Sequence, residues 1–410
     1  MPPRHNGTIT LLGLLTALTP LSVDMYLPAL PSLVQEFSAK EGHVQLSLAS
    51  FFLGLAIGQA FYGPISDRFG RKLPLYAGLV LFVLASAGCA VTTSIDQLIV
   101  LRFLQALGVC SSQVIARAVV RDLFEAHEAV RVFSLLVLVM GVGPVLAPIL
   151  GGQILIWLGW RAIFWLHASA GFIGLAASVL RLPETLRPET ARRLAVRDVL
   201  RGYYELLTDK AFIGYALTGG LGMAGMFAYI VGSPFVFIEL FHVRPDRFGF
   251  FFGANAVGLI AASQANIRLT RRLDGDKVIG RVLAVQTAAC VLLIMTTWTG
   301  TAGLPVTAAL LFVYVALLGF LYPNTTALAL APHGHRAGSA SALLGTLQFT
   351  LAATAASLVG AVNNGTAMPM AAVLGACGIS AFVLYRSLVS RESPEVVRTR
   401  AKARDYSGRM

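Results

Sequence analysis

Apolar runs long enough to cross a bilayer recur along almost the whole chain, separated by short loops. A helix rising 1.5 Å per residue needs about 20 residues to cross a hydrocarbon core of about 30 Å. In lipid each backbone N–H and C=O must be satisfied within its own segment, so repeated runs of this length predict spanning helices. Twelve are expected, near residues 8–29, 44–65, 73–92, 97–116, 128–152, 160–181, 211–238, 247–267, 278–298, 304–330, 336–361 and 367–387. The first reads as a span and not as a cleaved signal, because it is too long, carries an aspartate and leads straight into another span. The expected class is an all-α polytopic membrane protein.

The chain carries a net charge of +12 on only 13% charged residues, which raises the question of nucleic acid. Distribution argues against it. Of the 32 Lys and Arg residues, all but Lys40, Arg102, Arg161, Arg244 and Arg247 fall on one alternating set of loops and tails. This is the positive-inside pattern with both termini cytoplasmic, so the bilayer is the expected partner and no nucleic acid is. Cys89, Cys110, Cys290 and Cys377 all fall in expected helices without pair spacing, so no disulfide, metal site or cofactor is expected. Of the seven histidines only His167 falls within a span, and it reads as packed or interfacial. An enzyme would need nucleophile, acid/base or metal residues clustered near a membrane face, and none is visible. A sensor would need a sizeable soluble domain, and no loop is longer than residues 182–210.

That longest polar interruption follows the sixth span and carries Arg187, Arg192, Arg193, Arg197 and Arg201. It predicts a bundle of six helices over 1–181, a cytoplasmic linker over 182–210, a second six-helix bundle over 211–388 and a basic cytoplasmic tail over 389–410. Within the linker, residues 190–208 predict a helix lying on the membrane surface, where arginines meet anionic head groups. The tail is expected to be disordered near its end. Small residues recur at helical spacing at Gly54 and Gly58, at Gly143, Ala147 and Gly151, at Pro144, Pro148 and Gly152, at Ala254, Gly258 and Ala262, and at Gly338, Ala342 and Thr346. Such stripes let helices approach closely and suit two rigid bundles that rock against each other, with packing inside one bundle as the alternative.

Asp24 is the one acidic residue inside an expected span, and a carboxylate in hydrocarbon marks a functional site by default. With span 1 running outward and span 4 inward, Asp24 lies about 8 Å and Arg102 about 6–7 Å outward of the midplane. Matched depth predicts that the two face one cavity and interact directly or through water. The Arg102 face of span 4 also carries Ala106, Val109 and Gln113, with Arg117 nearby as an interfacial anchor or a pocket residue. In span 7, Phe227, Tyr229 and Phe235 flank Gly232-Ser233-Pro234, which should loosen the helix; these aromatics form either a plastic cavity wall or ordinary helix and lipid contacts. Asn255, Asn324 and Gln348 are equally suited to bonding between helices and to meeting substrate. Tyr26 lies about 200° from Asp24 around the helix and reads as an interfacial anchor.

Between spans 2 and 3 stands Gly63-Pro64-Ile65-Ser66-Asp67-Arg68-Phe69-Gly70-Arg71-Lys72. Here Asp67 can cap a neighbouring helix while the cations anchor the turn at the head groups. The segment resembles the signature 2–3 loop of the major facilitator superfamily, and residues 268–277 form a degenerate counterpart. Arg102-Phe103-Leu104-Gln105-Ala106-Leu107-Gly108 is similar to the embedded arginine motif of its proton-coupled members, with Ala106 where glycine is more usual. Gly141 to Gly152 resembles the antiporter motif. Closer resemblance is carried by Pro20 to Pro31, Arg121-Asp122, Gly225-Met226-Phe227 and Gly232-Ser233-Pro234-Phe235, which are similar to the bicyclomycin-resistance/CflA subfamily of drug:proton antiporters.

The resemblance implies twelve helices in two pseudosymmetric six-helix bundles, the major facilitator fold, around a central cavity. It further implies a multi-pass monomer in a bacterial inner (plasma) membrane. Its implied activity is proton-driven export of bicyclomycin-like or phenicol-like antimicrobials by alternating access, with protons and a small-molecule drug as partners; export of an amino acid or other metabolite is the alternative. Asp24 and Arg102 would couple protons, and both, with Gln113, Phe227, Tyr229 and Phe235, would line the substrate site. Gly63, Asp67, Arg68, Gly70, Arg71, Gly143, Pro144, Pro148, Gly151 and Gly152 would form the conformational gate. Related exporters often carry a second acidic residue where Thr16 stands, so coupling is expected to rest on one carboxylate.

Overall fold

A computed structural model of the chain describes residues 3–186 and 196–389, and every expected span is a helix. The first six spans comprise α1 (Pro3–Asp24) continued by α2 (Leu30–Glu36), then α3 (Glu41–Phe69), α4 (Lys72–Val91), α5 (Ile95–Leu123), α6 (Ala126–Leu158) and α7 (Trp160–Arg181). After the linker helix α8 (Val196–Thr208) come α9 (Lys210–Pro234), α10 (Pro245–Leu269), α11 (Gly275–Trp298), α12 (Leu304–Leu330), α13 (Ala337–Ala361) and α14 (Met368–Leu384). Among the described residues there is no strand. The linker helix ends where expected, its start before Val196 falls outside the described residues, and so does the tail beyond Val389.

Helix ends follow local chemistry. Asp209 accepts hydrogen bonds from the backbone N–H groups of Ala211 (2.8 Å) and Phe212 (3.0 Å), opening α9 directly behind α8. Beyond Pro234 the α9 backbone widens into a π-helical turn over Phe235–Leu240, which realises the loosening expected of Gly232-Ser233-Pro234. The first span breaks after Asp24 and re-forms through a 3-10 turn at Leu27–Ala29, where Pro28 leaves no N–H to continue an α-helix.

Within the first half, α5 packs on α3 and α4, while α1 lies against α5, α6 and α7. In the second half, α12 packs on α9, α10 and α11, and α14 on α9 and α11. The halves meet along two seams, α3 with α13 and α6 with α10. On the side away from the linker both seams are tight. There a Cβ on Gly42 would strike the Gly360 carbonyl, one on Gly152 the backbone of Pro245, and one on Gly249 the backbone of Ile149. Asn363 Nδ2 adds a hydrogen bond to Glu41 Oε2 at 3.0 Å. On the linker side, α8 reaches the first half through Tyr203, whose hydroxyl donates to the Ala60 carbonyl at 3.2 Å.

The small-residue stripes are mostly not at these seams. Gly54 and Gly58 admit Phe103, Ala106 and Cys110 of α5; Gly143 and Gly151 admit Pro20 and Met25 of the first span; Gly258 admits Phe312 and Ala316 of α12. All are contacts inside one half, which corrects the expectation that the stripes line the moving surface. Gly152 alone of those glycines meets the other half, and Gly63 and Gly338 have nothing close by.

Candidate functional site

Asp24 closes α1 at the break in the first span, 4% exposed, with no hydrogen bond or ion pair to any described residue. The Tyr229 hydroxyl on α9 of the second half lies within electrostatic reach of Asp24. That ring stacks on Phe252 of α10 at 5.0 Å, and its oxygen accepts a hydrogen bond from Asn255 Nδ2 at 2.8 Å. Phe227, one half-turn earlier on α9, touches Phe52 of α3 at 4.5 Å and Phe349 of α13 at 6.0 Å, bridging the halves. Phe235 is buried at the start of the π-helical turn. Three of the expected site residues, Asp24, Phe227 and Tyr229, are thus brought to the meeting of the two bundles.

Arg102 is elsewhere, and the expected pair with Asp24 does not form. The Arg102 side chain is fully buried inside the first half, its guanidinium carbon 4.2 Å from the Phe51 ring centre, 4.6 Å from Tyr26 and 5.8 Å from Phe164. Nη1 donates to Gln105 Oε1 at 2.6 Å, and Gln105 Nε2 donates onward to Ser86 Oγ at 2.8 Å. Nε and Nη2 have no hydrogen-bond partner among the described residues. The expected pairing fails in direction. The first span breaks between Asp24 and Tyr26, and it is Tyr26 that turns onto Arg102. Aromatic faces replace the counter-ion, each desolvated cation–π contact contributing up to about 2 kcal/mol.

The same geometry overturns the reading of Tyr26 as an interfacial anchor: it is wholly buried, with its hydroxyl 2.8 Å from Ser47 Oγ. His167 is packed, as read, against Phe164 at 5.9 Å. Sequence reasoning missed the roles of Tyr26, Gln105 and Ser86. A signal was present in the i, i+3 spacing of Gln105 from Arg102.

Gln113 does not line a stripe with Arg102; its Oε1 accepts from Gln59 Nε2 at 3.0 Å, and Gln59 lies against Gly345 of α13 at the seam. Asn324 bonds between helices, donating to Asn266 Oδ1 at 2.8 Å. Asn255 is engaged by Tyr229, Gln348 lies beside Gly220, and Arg117 is exposed at the linker-side end of α5. Thr16 turns its hydroxyl back on the Leu12 carbonyl at 2.7 Å, so no acid stands in for the missing second carboxylate there.

At the 2–3 turn, Gly70 adopts φ +88°, a conformation glycine reaches without strain. Arg71 then turns inward, with Nη1 on Asp67 at 2.6 Å and Nε on Asp122 at 2.8 Å. The carboxylate capping α4 is Glu184, which accepts from the backbone N–H groups of Arg71 (2.9 Å) and Lys72 (3.2 Å). Two expectations are corrected: Asp67 holds Arg71 and caps nothing, and Arg71 is buried away from the head groups. Partial burial works against the Glu184 charge, but backbone donors from Arg71, Leu186, Lys72 and Thr185 prevail and hold it below the ordinary glutamate range. Arg68 stays exposed on the Phe69 ring at 4.9 Å.

Two six-helix bundles joined along two seams, with a buried carboxylate in the first within electrostatic reach of a tyrosine in the second, suit a membrane transporter. The Major Facilitator Superfamily profile matches residues 12–357, and the chain belongs to that superfamily. It is 39% identical to the uncharacterized MFS-type transporter YdgK of Bacillus subtilis, over 89% of this chain and 90% of that one. Identity to the bicyclomycin resistance protein homolog of Haemophilus influenzae is 32%, over 93% and 96%. Among solved structures it resembles a D-xylose-proton symporter, with a TM-score of 0.71 at 19% identity over 93% of this chain and 97% of that one, a likeness of fold.

Proposed function

We propose that the protein is a proton-driven antiporter that exports small, mainly neutral or zwitterionic antimicrobial compounds, bicyclomycin-like or phenicol-like, by alternating access. The observation that carries this reading is Asp24: a buried carboxylate with no hydrogen-bond or ion-pair partner among the described residues, within electrostatic reach of Tyr229 of the other bundle. The name of the Haemophilus influenzae relative supports the substrate class. Basic loops on the linker side support a cytoplasmic linker and termini in a bacterial inner membrane. The bundles 1–181 and 211–388 move as bodies within a monomer, and the tight seams then lie on the external face.

In this scheme Asp24 binds either a proton or the charge-balanced drug complex, and because the two exclude each other the inward proton gradient drives export. Phe227, Tyr229 and Phe235 supply the apolar wall, with Asn255 holding the Tyr229 hydroxyl in place. Arg102 is a positioning residue. It fixes Tyr26, two residues beyond Asp24, and so fixes the turn on which the carboxylate stands. The turn at Gly70 and the seam at Gly152 act as the gate.

In proteoliposomes with an imposed pH gradient, Asp24→Asn, which mimics the protonated carboxylate, should abolish gradient-driven drug transport and weaken drug binding. Wild-type gradient-driven rates in that variant would overturn the scheme. Expression in an efflux-deficient bacterium, read across a drug panel, tests the substrate class. Unchanged susceptibility to every compound would redirect the reading to an exported metabolite such as an amino acid.

A further inference from the structure

The two halves treat their equivalent turns in opposite ways. In the first half the cations of the 2–3 turn are matched by carboxylates of the chain itself: Asp67 and Asp122 hold the Arg71 side chain, and Glu184 holds the backbone at Arg71 and Lys72. In the second half, Arg268, Arg271 and Arg272 crowd the end of α10 and the turn after it, all exposed, and none forms an ion pair with a described residue. Asp274 in the same turn is itself exposed, and Asp276 is taken up by the Tyr215 hydroxyl at 3.1 Å. The three arginines line, with Ala265 and Leu269, a concavity of about 590 Å³.

The surroundings of that concavity say which anion it fits. Phe250, Val257, Ala261, Ala265 and Arg268 follow one another at spacings of seven, four, four and three, which keeps them on one helical face. Phe250 is 64% and Val257 62% exposed, so this face is directed outward to the bilayer. From Val257 to Arg268 the face runs about 16 Å, roughly one leaflet of a 30 Å core. An apolar track one leaflet long that ends in unmatched guanidinium groups is complementary to an acyl chain ending in a phosphate.

We propose that Arg268, Arg271 and Arg272 form a binding site for the phosphate of an anionic phospholipid in the linker-side leaflet, its acyl chain lying along the Val257–Ala265 face of α10. The lipid phosphate supplies from outside the charge that Asp67, Asp122 and Glu184 supply from inside at the other turn. This site is independent of Asp24 and of what the protein carries.

The test compares wild type, Arg268→Gln/Arg271→Gln/Arg272→Gln and a control, Arg197→Gln/Arg201→Gln, which removes exposed cations from α8. Each is reconstituted in phosphatidylcholine vesicles containing phosphatidylglycerol and read by native mass spectrometry for retained lipid. Wild type and control should retain phosphatidylglycerol in preference to phosphatidylcholine. The triple variant should lose that preference, by on the order of fivefold in affinity per arginine removed. Inorganic phosphate at the lipid's concentration should displace nothing. Undiminished retention by the triple variant, equal loss in the control, or displacement by inorganic phosphate would each overturn the proposal. Melting in phosphatidylcholine alone establishes that the triple variant is folded; should it melt early, Arg272→Gln carries the same comparison, with unchanged retention again overturning the site.

Discussion

Asp24 and Arg102 show how far residue-level reasoning reaches. Composition and spacing identified both as costly intramembrane charges and put them at one depth, and the structure buries both. What depth could not supply was direction, because the chain breaks between Asp24 and Tyr26, and an arginine can be satisfied by rings as well as by a carboxylate. The distinction is measurable. Two groups that do not touch should have nearly additive effects, so in a double-mutant cycle on unfolding the Asp24→Asn and Arg102→Gln changes should couple by less than about 0.5 kcal/mol. By contrast, Arg102→Gln and Tyr26→Leu should couple by about 1 kcal/mol or more, because each removes the other's contact. Strong coupling of Asp24 with Arg102 that persisted in a Tyr26→Leu background would restore the direct pair.

At the scale of elements, the 2–3 turn was legible as a motif but not in its wiring. Its local residues are contiguous, whereas the capping carboxylate Glu184 lies 113 residues from Arg71, and no spacing rule connects them. Glu184 is held below the ordinary glutamate range in the folded protein, so its contribution is present above the unfolded value and is lost as pH falls through the folded one. Thermal unfolding of wild type and Glu184→Gln should therefore differ near neutral pH, by about 0.5–2 kcal/mol for a lost cap, and converge on acidification. A difference that stayed constant down to pH values well below the ordinary glutamate range would show that the charge is irrelevant. Gly70→Ala should cost about 1–3 kcal/mol, because φ +88° with ψ 170° is a region essentially restricted to glycine and the added Cβ would strike the Glu184 carboxylate.

For the whole molecule, the twelve helices were written in hydrophobic run length, which each segment carries by itself. The seams were not, because a surface between two halves depends on how folded bodies meet. Its closest approaches fall at Gly42 and Gly360, single glycines at helix ends, while the periodic stripes serve packing within each half. If alternating access opens these seams, tying them shut must stop the cycle without disturbing either bundle. The natural place is Glu41 with Asn363, already joined at 3.0 Å across α3 and the end of α13. Cysteines at both positions probe the seam where these two side chains already meet, and none of the four native cysteines lies at that seam. Oxidised Glu41→Cys/Asn363→Cys protein should lose transport almost completely, still bind drug from the linker side, and regain transport on reduction. Either single cysteine variant should be indifferent to oxidant. Transport at an undiminished rate through the oxidised, demonstrably bridged protein would mean that this seam never opens, and that the bundles rock, if they do, about a different line.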